Sequence, residues 1–246
     1  HSMIEEMNRI KTDHLSKYLI TPTQTAKNNL INEKIDKDKI FNFGDILLDI
    51  SFNDIQKKNK KIKKKNYGLI TLHRREILYN TKIIKSLISE LEKINFDFIF
   101  PIHPHTKKII QKNNLKLPKN IKVVKPLEHK LFRKLLLESK IILTDSGGVQ
   151  REAYFYKKNF LVIRNETEWP EAINSYNKSI VNFKKIKKLK NIILENIGIY
   201  ANCNYRKFGN GKAISKIYHL IKKIEKKNIN SFRRSLGKRA KSTSHI

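Results

Sequence analysis

The chain has 246 residues, of which 39% are hydrophobic, and its 53 Lys and Arg against 22 Asp and Glu give a formal net charge of +31. This length and apolar share are enough for one large domain or two small ones with a packed core. No segment approaches the roughly 18 consecutive apolar residues of a membrane-spanning helix, and the first residues lack the pattern of a signal peptide. The lone Cys203 excludes an internal disulfide framework and a zinc site built from cysteines. We therefore expect a cytoplasmic protein with no membrane partner.

The positive charge raises nucleic acid as a partner. Most of it comes from lysine, however, and Ile and Asn are abundant as well, which is the bias of an A/T-rich coding sequence. The lysine-rich runs at 57–65 and 184–190 contain no aromatic residues of the kind that stack on bases. They are typical of a solvated linker and a helix face, so we do not expect a specific nucleic-acid site.

The first part of the chain, up to the lysine run, contains predicted helices and short strands. In chain order these are a helix at Glu5–His14, a strand at Lys17–Ile20, a helix at Gln24–Asn32 and a strand end at Phe41–Gly44. The turn Thr21–Thr23 can cap the second helix. The pattern over Asp45–Ile55 is mixed, and we interpret the lysine run after it as a linker.

After Asn66 strands and helices alternate regularly. The predicted strands are Gly68–Leu72, Phe96–Ile102, Ile121–Val124, Ile141–Thr144, Phe160–Ile163 and a last one at Ser179–Val181. Helices are predicted between them, then around Glu171–Asn174, and finally at Lys185–Glu195 and Lys212–Lys227. Nearly continuous apolar strands separated by helices indicate an α/β fold with a doubly wound parallel sheet, covered on both faces.

The run Thr144-Asp145-Ser146-Gly147-Gly148 leads the predicted central strand through a turn into a helix. Unpaired backbone N–H groups and the positive end of the helix dipole suit a phosphate there, and glycines let a bulky anion approach. Glu152, about one turn into the helix, can accept hydrogen bonds from a ribose diol. An ordinary strand-to-helix turn with a serine cap is the alternative.

Three further polar clusters follow predicted strands. They are His73-Arg74-Arg75-Glu76, His103-Pro104-His105 and Arg164-Asn165-Glu166-Thr167-Glu168. Because ligands bind outside the carboxyl ends of parallel strands, four clusters on one edge indicate a phosphorylated ligand. His73 can hydrogen-bond or protonate a departing phosphate, and one arginine beside it can clamp the phosphate.

Other polar and aromatic residues have open roles. Glu166, Glu168 and Glu171 are spaced for acid/base chemistry but can equally cap a short helix and pair with lysines, so we favour a binding loop. Phe132 can stack on a base or belong to the core. Helix capping alone explains the glycine-rich turn Phe208–Ala213.

Several motifs occur in the order found in one enzyme family. They are Glu5–Arg9, Asp13-His14, Thr21–Thr23, Thr71–Glu76, Ile102–Pro104, Thr144–Ala153, Glu166–Glu171 and Phe208–Ala213. Together they span nearly all of residues 3–228 and resemble the non-hydrolysing UDP-N-acetylglucosamine 2-epimerases. The resemblance implies two facing Rossmann-like domains of the GT-B type, the UDP-sugar as substrate, a homodimer, and neither a cofactor nor a bound metal.

The resemblance also implies the reaction, a reversible inversion at C2 of the sugar in nucleotide-sugar or surface-polysaccharide biosynthesis. UDP is eliminated to leave a glycal and is then added back after a proton returns to the other face. Ser146, Gly147 and Gly148 would hold the diphosphate, and Glu152 would bind the ribose.

The remaining roles are implied in the same way. His73 would stabilise the leaving UDP, supported by His103. From the residues themselves, we expect Arg74 to be the arginine that clamps the phosphate. Phe132 would lie against the uracil, and Glu5 matches a carboxylate implicated in the acid/base step.

Three features depart from the family pattern. Ile4 and Ile77 replace a usual Pro and Asn. Trp169 stands where one branch has arginine, and the Glu-Thr-Glu-Trp form is more like a branch that includes epimerases of UDP-diacetamido sugars. The largest departure is that family members begin with a whole N-terminal domain. We expect only its last part here, so that the chain alone would bind UDP weakly without turning over UDP-N-acetylglucosamine.

The expected domains are therefore a remnant of the N-terminal Rossmann-like domain at 1–50, the UDP-binding domain with its closing helices at 51–228, and a basic disordered tail at 229–246. The alternatives to an epimerase of UDP-N-acetylglucosamine are an epimerase of a UDP-diacetamido sugar, a GT-B glycosyltransferase, and a non-catalytic UDP-sugar sensor or RNA-binding remnant.

Overall fold

The computed structural model describes residues 2–57, 65–173, 180–197 and 203–242. The strands are β1 (Leu19–Thr21), β2 (Ile40–Asn42), β3 (Gly68–Thr71), β4 (Phe98–Pro101), β5 (Ile121–Val124), β6 (Ile141–Thr144) and β7 (Phe160–Val162). The α-helices are α1 (Ser2–Leu15), α2 (Gln24–Asn32), α3 (Ile46–Lys57), α4 (Arg75–Leu78), α5 (Thr81–Glu92), α6 (Pro104–Lys112), α7 (His129–Glu138), α8 (Gly147–Phe155), α9 (Leu189–Asn196) and α10 (Ala213–Ser242). Among the described residues, no helix is long and apolar enough to cross a bilayer.

The chain divides into two compact units. Residues 1–52 group with 205–246, and residues 53–204 form the second unit. The expected boundary near residue 50 lies close to this division. The C-terminal helix differs from the expectation, because it groups with the first unit and not with the second. The assignment of the two units as family domains stays a prediction.

In the first unit, β1 and β2 pair in parallel, with Leu19 opposite Ile40. The Thr23 side chain accepts a hydrogen bond from the Ala26 N–H and starts α2 at the predicted residue. The segment with the mixed pattern is the helix α3. Its start is fixed because the Asp45 carboxylate accepts a hydrogen bond from the Leu47 N–H at 2.8 Å.

Helix α10 begins beside α3, since the Asp49 carboxylate accepts a hydrogen bond from the Ile214 N–H at 2.8 Å. It continues to Ser242, through most of the segment expected to be a disordered tail. From 228 onward that segment has no proline and a single glycine, Gly237, and it is rich in lysine and arginine. Lysine and arginine have good helix propensity. The expectation of disorder instead followed the high charge and low hydrophobicity of the segment.

The second unit is built on a five-stranded sheet in the order β5-β4-β3-β6-β7, with every pairing parallel. Counted within the unit, this is the order 3-2-1-4-5 of the Rossmann fold. Buried Ile84, Leu87 and Leu91 give α5 the apolar face with which it joins the core. The predicted doubly wound parallel sheet is therefore confirmed.

The end of the sheet beyond β7 is less regular. Of the predicted strand at Ser179–Val181, Ser179 lies outside the described residues, and Ile180 forms a single parallel bridge with Val162. The predicted helix around Glu171–Asn174 is a short 3₁₀ helix at Pro170–Ala172, and residue 174 lies outside the described residues.

The strand order reverses between β3 and β6, which are neighbours in the sheet although Thr144 lies 73 positions after Thr71. The Thr71 and Thr144 hydroxyls are hydrogen-bonded at 2.6 Å where the two strands end. Open α/β sheets bind ligands in the crevice at such a switch point.

Candidate functional site

The turn after β6 is fixed by hydrogen bonds to both central strands. The Asp145 N–H donates to the Thr71 carbonyl oxygen at 3.2 Å, and the Ser146 N–H donates to the Thr144 hydroxyl at 3.0 Å. The Ser146 side chain in turn caps α8 by accepting from the Val149 N–H. The nine-residue helix α8 thus begins at Gly147, directly at the switch point, with Ser146 as its N-cap.

Asp145 joins this turn to the loop after β3. Its carboxylate is fully buried and accepts hydrogen bonds from the backbone N–H groups of His73 at 2.8 Å and Arg74 at 2.7 Å. The His73 Nδ1 lies 3.1 Å from the other carboxylate oxygen. That oxygen has no hydrogen bond among the described residues, so the contact is a close approach. Because an ionised carboxylate only accepts, we expect the hydrogen on Nδ1, with Nε2 left for another partner.

The two glycines of the turn have different surroundings. A Cβ on Gly147 would lie 2.8 Å from the indole Nε1 of Trp169, whereas a Cβ on Gly148 would meet only the Ser146 Oγ at 3.7 Å among nearby atoms. Gly147 is therefore needed for the packing of the Trp169 loop. Gly148 is the glycine that leaves space beside the helix N-terminus.

The loop after β7 lies against this turn and is held by ion pairs. A guanidinium nitrogen of Arg164 lies 2.6 Å from both carboxylate oxygens of Glu168, and Arg74 approaches the same carboxylate at 3.3 Å. Burial alone would raise the pKa of Glu168, but the bonds from Arg164 and the charge of Arg74 outweigh it and lower the pKa. The Arg151 guanidinium stacks over the Trp169 ring at 3.9 Å.

A second carboxylate of α8 is paired with α7. Glu152 is buried, and its Oε1 lies 2.9 Å from the Nε2 of His129, the first residue of α7. Phe132, one turn further along α7, is half-buried.

The histidines after β4 have a different environment. The His103 Nδ1 caps α6 by accepting from the His105 N–H at 3.2 Å. His105 Nε2 lies 3.4 Å from the Tyr79 hydroxyl. The buried Thr106 hydroxyl donates to the Leu72 carbonyl oxygen at 3.0 Å and so ties the start of α6 to the end of β3.

The structure brings some of the predicted site residues into direct contact with shared partners and leaves others apart. His73 and Arg74 share Asp145, which directly precedes Ser146, Gly147 and Gly148 in the chain. His103 contacts its own helix. Glu5 lies in α1 of the first unit, and its side chain lies outside what the structure describes.

Sequence reasoning assigned no role to Asp145 or His129. Asp145 stands next to Ser146 in the motif, and an acidic residue directly after an apolar strand was the available signal. No signal in the sequence connects His129 to Glu152, because α7 and α8 belong to different β–α units.

The sequence model of the UDP-N-acetylglucosamine 2-epimerase family matches residues 1–222 of the chain. The chain belongs to the UDP-N-acetylglucosamine 2-epimerase family. The predicted family and fold class are thereby confirmed. Similarity to a UDP-N-acetylglucosamine 2-epimerase homolog of Methanococcus maripaludis, at 40% identity, covers 90% of this chain and 65% of that protein.

A solved structure agrees. The UDP-GlcNAc 2-epimerase of Methanocaldococcus jannaschii, crystallised with UDP-GlcNAc and UDP, matches with a TM-score of 0.73 at 35% identity over 89% of this chain and 64% of that one. A UDP-2,3-diacetamido-2,3-dideoxy-D-glucuronate 2-epimerase of Pseudomonas aeruginosa is 32% identical over 90% of this chain and 64% of its own length. The match thus spans 64–65% of the length of these relatives, which is less than two-thirds.

Proposed function

We propose that the protein is a UDP-N-acetylglucosamine 2-epimerase and that UDP binds where β3 and β6 end. The observation that carries this proposal is the buried Asp145 carboxylate, which fixes His73 and Arg74 directly beside the capped N-terminus of α8. A helix N-terminus, an arginine and an imidazole together suit a diphosphate better than any uncharged ligand.

In the proposed reaction, a base removes the C2 proton, a C1–C2 double bond forms, and UDP departs with the electron pair of the C1–O bond. The departing diphosphate gains charge. Backbone N–H groups at Ser146, Gly147 and Gly148, the Arg74 guanidinium and a protonated His73 would stabilise it. While Asp145 holds the Nδ1 hydrogen, the ring can donate from Nε2 to the β-phosphate. Re-addition of UDP, after a proton returns to the other face, gives the epimer.

The other proposed roles complete the UDP-sugar site. Glu152 would accept from the ribose, Phe132 would cover the uracil, and His103 would support the phosphate end. Glu5 is the proposed acid/base carboxylate. The cytoplasmic location and the homodimer are proposed with them, on the resemblance to the family.

A UDP-diacetamido sugar is the second candidate substrate. It is favoured by the 32% identity to the Pseudomonas aeruginosa enzyme and by the Glu-Thr-Glu-Trp form of the loop at 166–169. The loop contacts the phosphate-binding turn through Trp169, so a change in its sequence can alter which sugar is accepted.

Heavy-water NMR tests the proposal. A protein that carries this chain is incubated with UDP-N-acetylglucosamine or with the UDP-diacetamido sugar. Exchange of the C2 proton and appearance of the epimer are expected with one of the two, and His73→Ala should abolish both. Transfer of sugar to an acceptor without any epimer would contradict the proposal and favour a glycosyltransferase. The same assay on residues 1–246 tests the expectation that this chain alone does not turn over the substrate.

A further inference from the structure

Glu152 is a buried carboxylate with one oxygen engaged and one open. Its Oε1 lies 2.9 Å from the His129 Nε2, while its Oε2 is buried and has no hydrogen-bond partner among the described residues. Buried polar atoms in native proteins nearly always have a partner, so this open acceptor is available to a donor that is bound from outside.

The open oxygen has the properties of a hydroxyl acceptor. An ionised carboxylate accepts and cannot donate, so its complement is an O–H or N–H group of the ligand. The vicinal hydroxyls of a ribose provide such donors. Glu152 lies on the same helix whose first residues bind the diphosphate in the proposed function, about one turn away.

His129 has the opposite exposure to its partner. The His129 side chain is 58% exposed and the Glu152 side chain 10% exposed, so the imidazole lies at the surface and the carboxylate behind it. A histidine with this exposure adds little to the core. What it contributes is a hydrogen bond that fixes the rotation of the carboxylate group.

The position of His129 on α7 gives this contact a further significance. Phe132 follows it at i+3 and therefore lies on the same side of the helix. The first turn of α7 thus presents one side chain to the ribose-binding carboxylate and another where the uracil is proposed to lie.

We propose that His129 is a positioning residue for ribose recognition, which donates from Nε2 to Glu152 Oε1 and thereby directs Oε2 at the ribose hydroxyls. This inference rests on the proposed function and adds a residue to it.

The test measures the affinity of the 246-residue chain for UDP and for 2′,3′-dideoxy-UDP, which lacks both hydroxyls. Trp169 is the single tryptophan and lies against Gly147, so its fluorescence can report binding, with calorimetry as a second method. One charge-assisted hydrogen bond corresponds to a preference of about tenfold for UDP over the dideoxy analogue in the wild type.

The variants separate positioning from direct contact. His129→Ala and His129→Phe should weaken UDP binding about fivefold, leave dideoxy-UDP binding nearly unchanged and thus remove most of the preference. His129→Gln, whose amide N–H can still donate, should retain the preference. In a Glu152→Ala background, His129→Ala should have no further effect. His219→Gln, at an exposed position on α10, is the matched control, and circular dichroism verifies folding of every variant.

Two results would overturn the inference. One is an unchanged preference for UDP in both His129→Ala and His129→Phe. The other is that His129→Ala weakens UDP binding equally in the wild type and in the Glu152→Ala background. That result would make His129 a direct ligand of the nucleotide. A wild-type chain that binds neither nucleotide would instead contradict the proposed function itself.

Discussion

Two histidines stand at equivalent places in the sheet and have opposite environments. His73 follows β3 by two residues, and His103 follows β4 by two residues. The His73 Nδ1 faces the buried carboxylate of Asp145, which comes from a strand that is a neighbour in space but distant in sequence. The His103 Nδ1 accepts from the N–H of His105 two residues later. The two rings should therefore carry their hydrogens on different nitrogens, Nδ1 in His73 and Nε2 in His103.

This difference shows that the partner of a histidine at a strand end depends on where the strand lies in the sheet. Where the strand order reverses, the neighbour supplies a buried acid. One strand further along, the local helix supplies the partner and the histidine becomes a cap.

The largest effect is expected from Asp145→Asn. The amide oxygen can still accept the two backbone N–H bonds, but the NH2 group then faces the His73 Nδ1, and the negative charge that strengthens these interactions is lost in a fully buried position. We expect the free energy of unfolding to fall by about 2–3 kcal/mol and UDP affinity to fall more than about tenfold. Urea denaturation and UDP titration measure the two effects.

The nitrogen chemical shifts of the rings sharpen this prediction. In Asp145→Asn the hydrogen of His73 should move from Nδ1 to Nε2, while His103 stays as it is. An unchanged His73 tautomer together with wild-type UDP affinity would show that the carboxylate does not position the ring.

Replacing each of the two histidines by alanine tests the comparison directly. His73→Ala should weaken UDP binding about tenfold, since a charged hydrogen bond to the phosphate is lost. His103→Ala should weaken it about twofold and mainly affect α6, because the ring caps that helix. Titration of both variants with UDP measures the two losses of affinity. Equal losses would remove the distinction between the two sites.

The two glycines of the turn should respond in opposite ways. Gly147→Ala forces Trp169 to move and should lower the free energy of unfolding by about 1–2 kcal/mol. Gly148→Ala has room in the protein and should change stability by less than about 1 kcal/mol, while its methyl group reduces UDP affinity. Thermal unfolding and UDP titration of both variants provide the comparison. A Gly148→Ala protein with full UDP affinity would place the diphosphate elsewhere.

The smallest effect concerns the loop at 164–169. The pKa of Glu168 is lowered in the folded state from its ordinary value of 4.5. Its pairing with Arg164 therefore stabilises the loop at pH values above 4.5, and this stabilisation is lost as the pH falls through the lower pKa of the folded state. Glu168 is half-exposed, so the effect on stability should be small. Trp169 emission should change over this range in the wild type and not in Glu168→Gln. The same transition in the variant would assign it to another group.

Several elements could be predicted from the sequence because the relevant interactions are local. The strands Ile121–Val124 and Ile141–Thr144 and the helix Gln24–Asn32 match their predicted bounds. Short apolar runs between polar residues and a threonine cap determine them within a few residues.

Other features could not be predicted because they depend on which strands become neighbours. Asp145 contacts the backbone of His73 and Arg74, which lie 72 and 71 positions earlier in the chain. His129 contacts Glu152, which lies 23 positions later. The sequence predicts that Gly147 and Gly148 form one anion-binding feature. In the structure, Gly147 is required by the packing of Trp169 from the loop after β7. Helix α3 was missed because its apolar pattern is incomplete, and its start depends on the single cap at Asp45.

The most direct test of the central claim is a UDP titration followed by the backbone amide resonances of the chain. If UDP binds at the switch point, the largest saturable shifts will occur at residues 73–74 and 146–149, with smaller ones near 103–105. Saturable binding with its largest shifts at another part of the chain, or no shift in residues 146–149, would contradict the account.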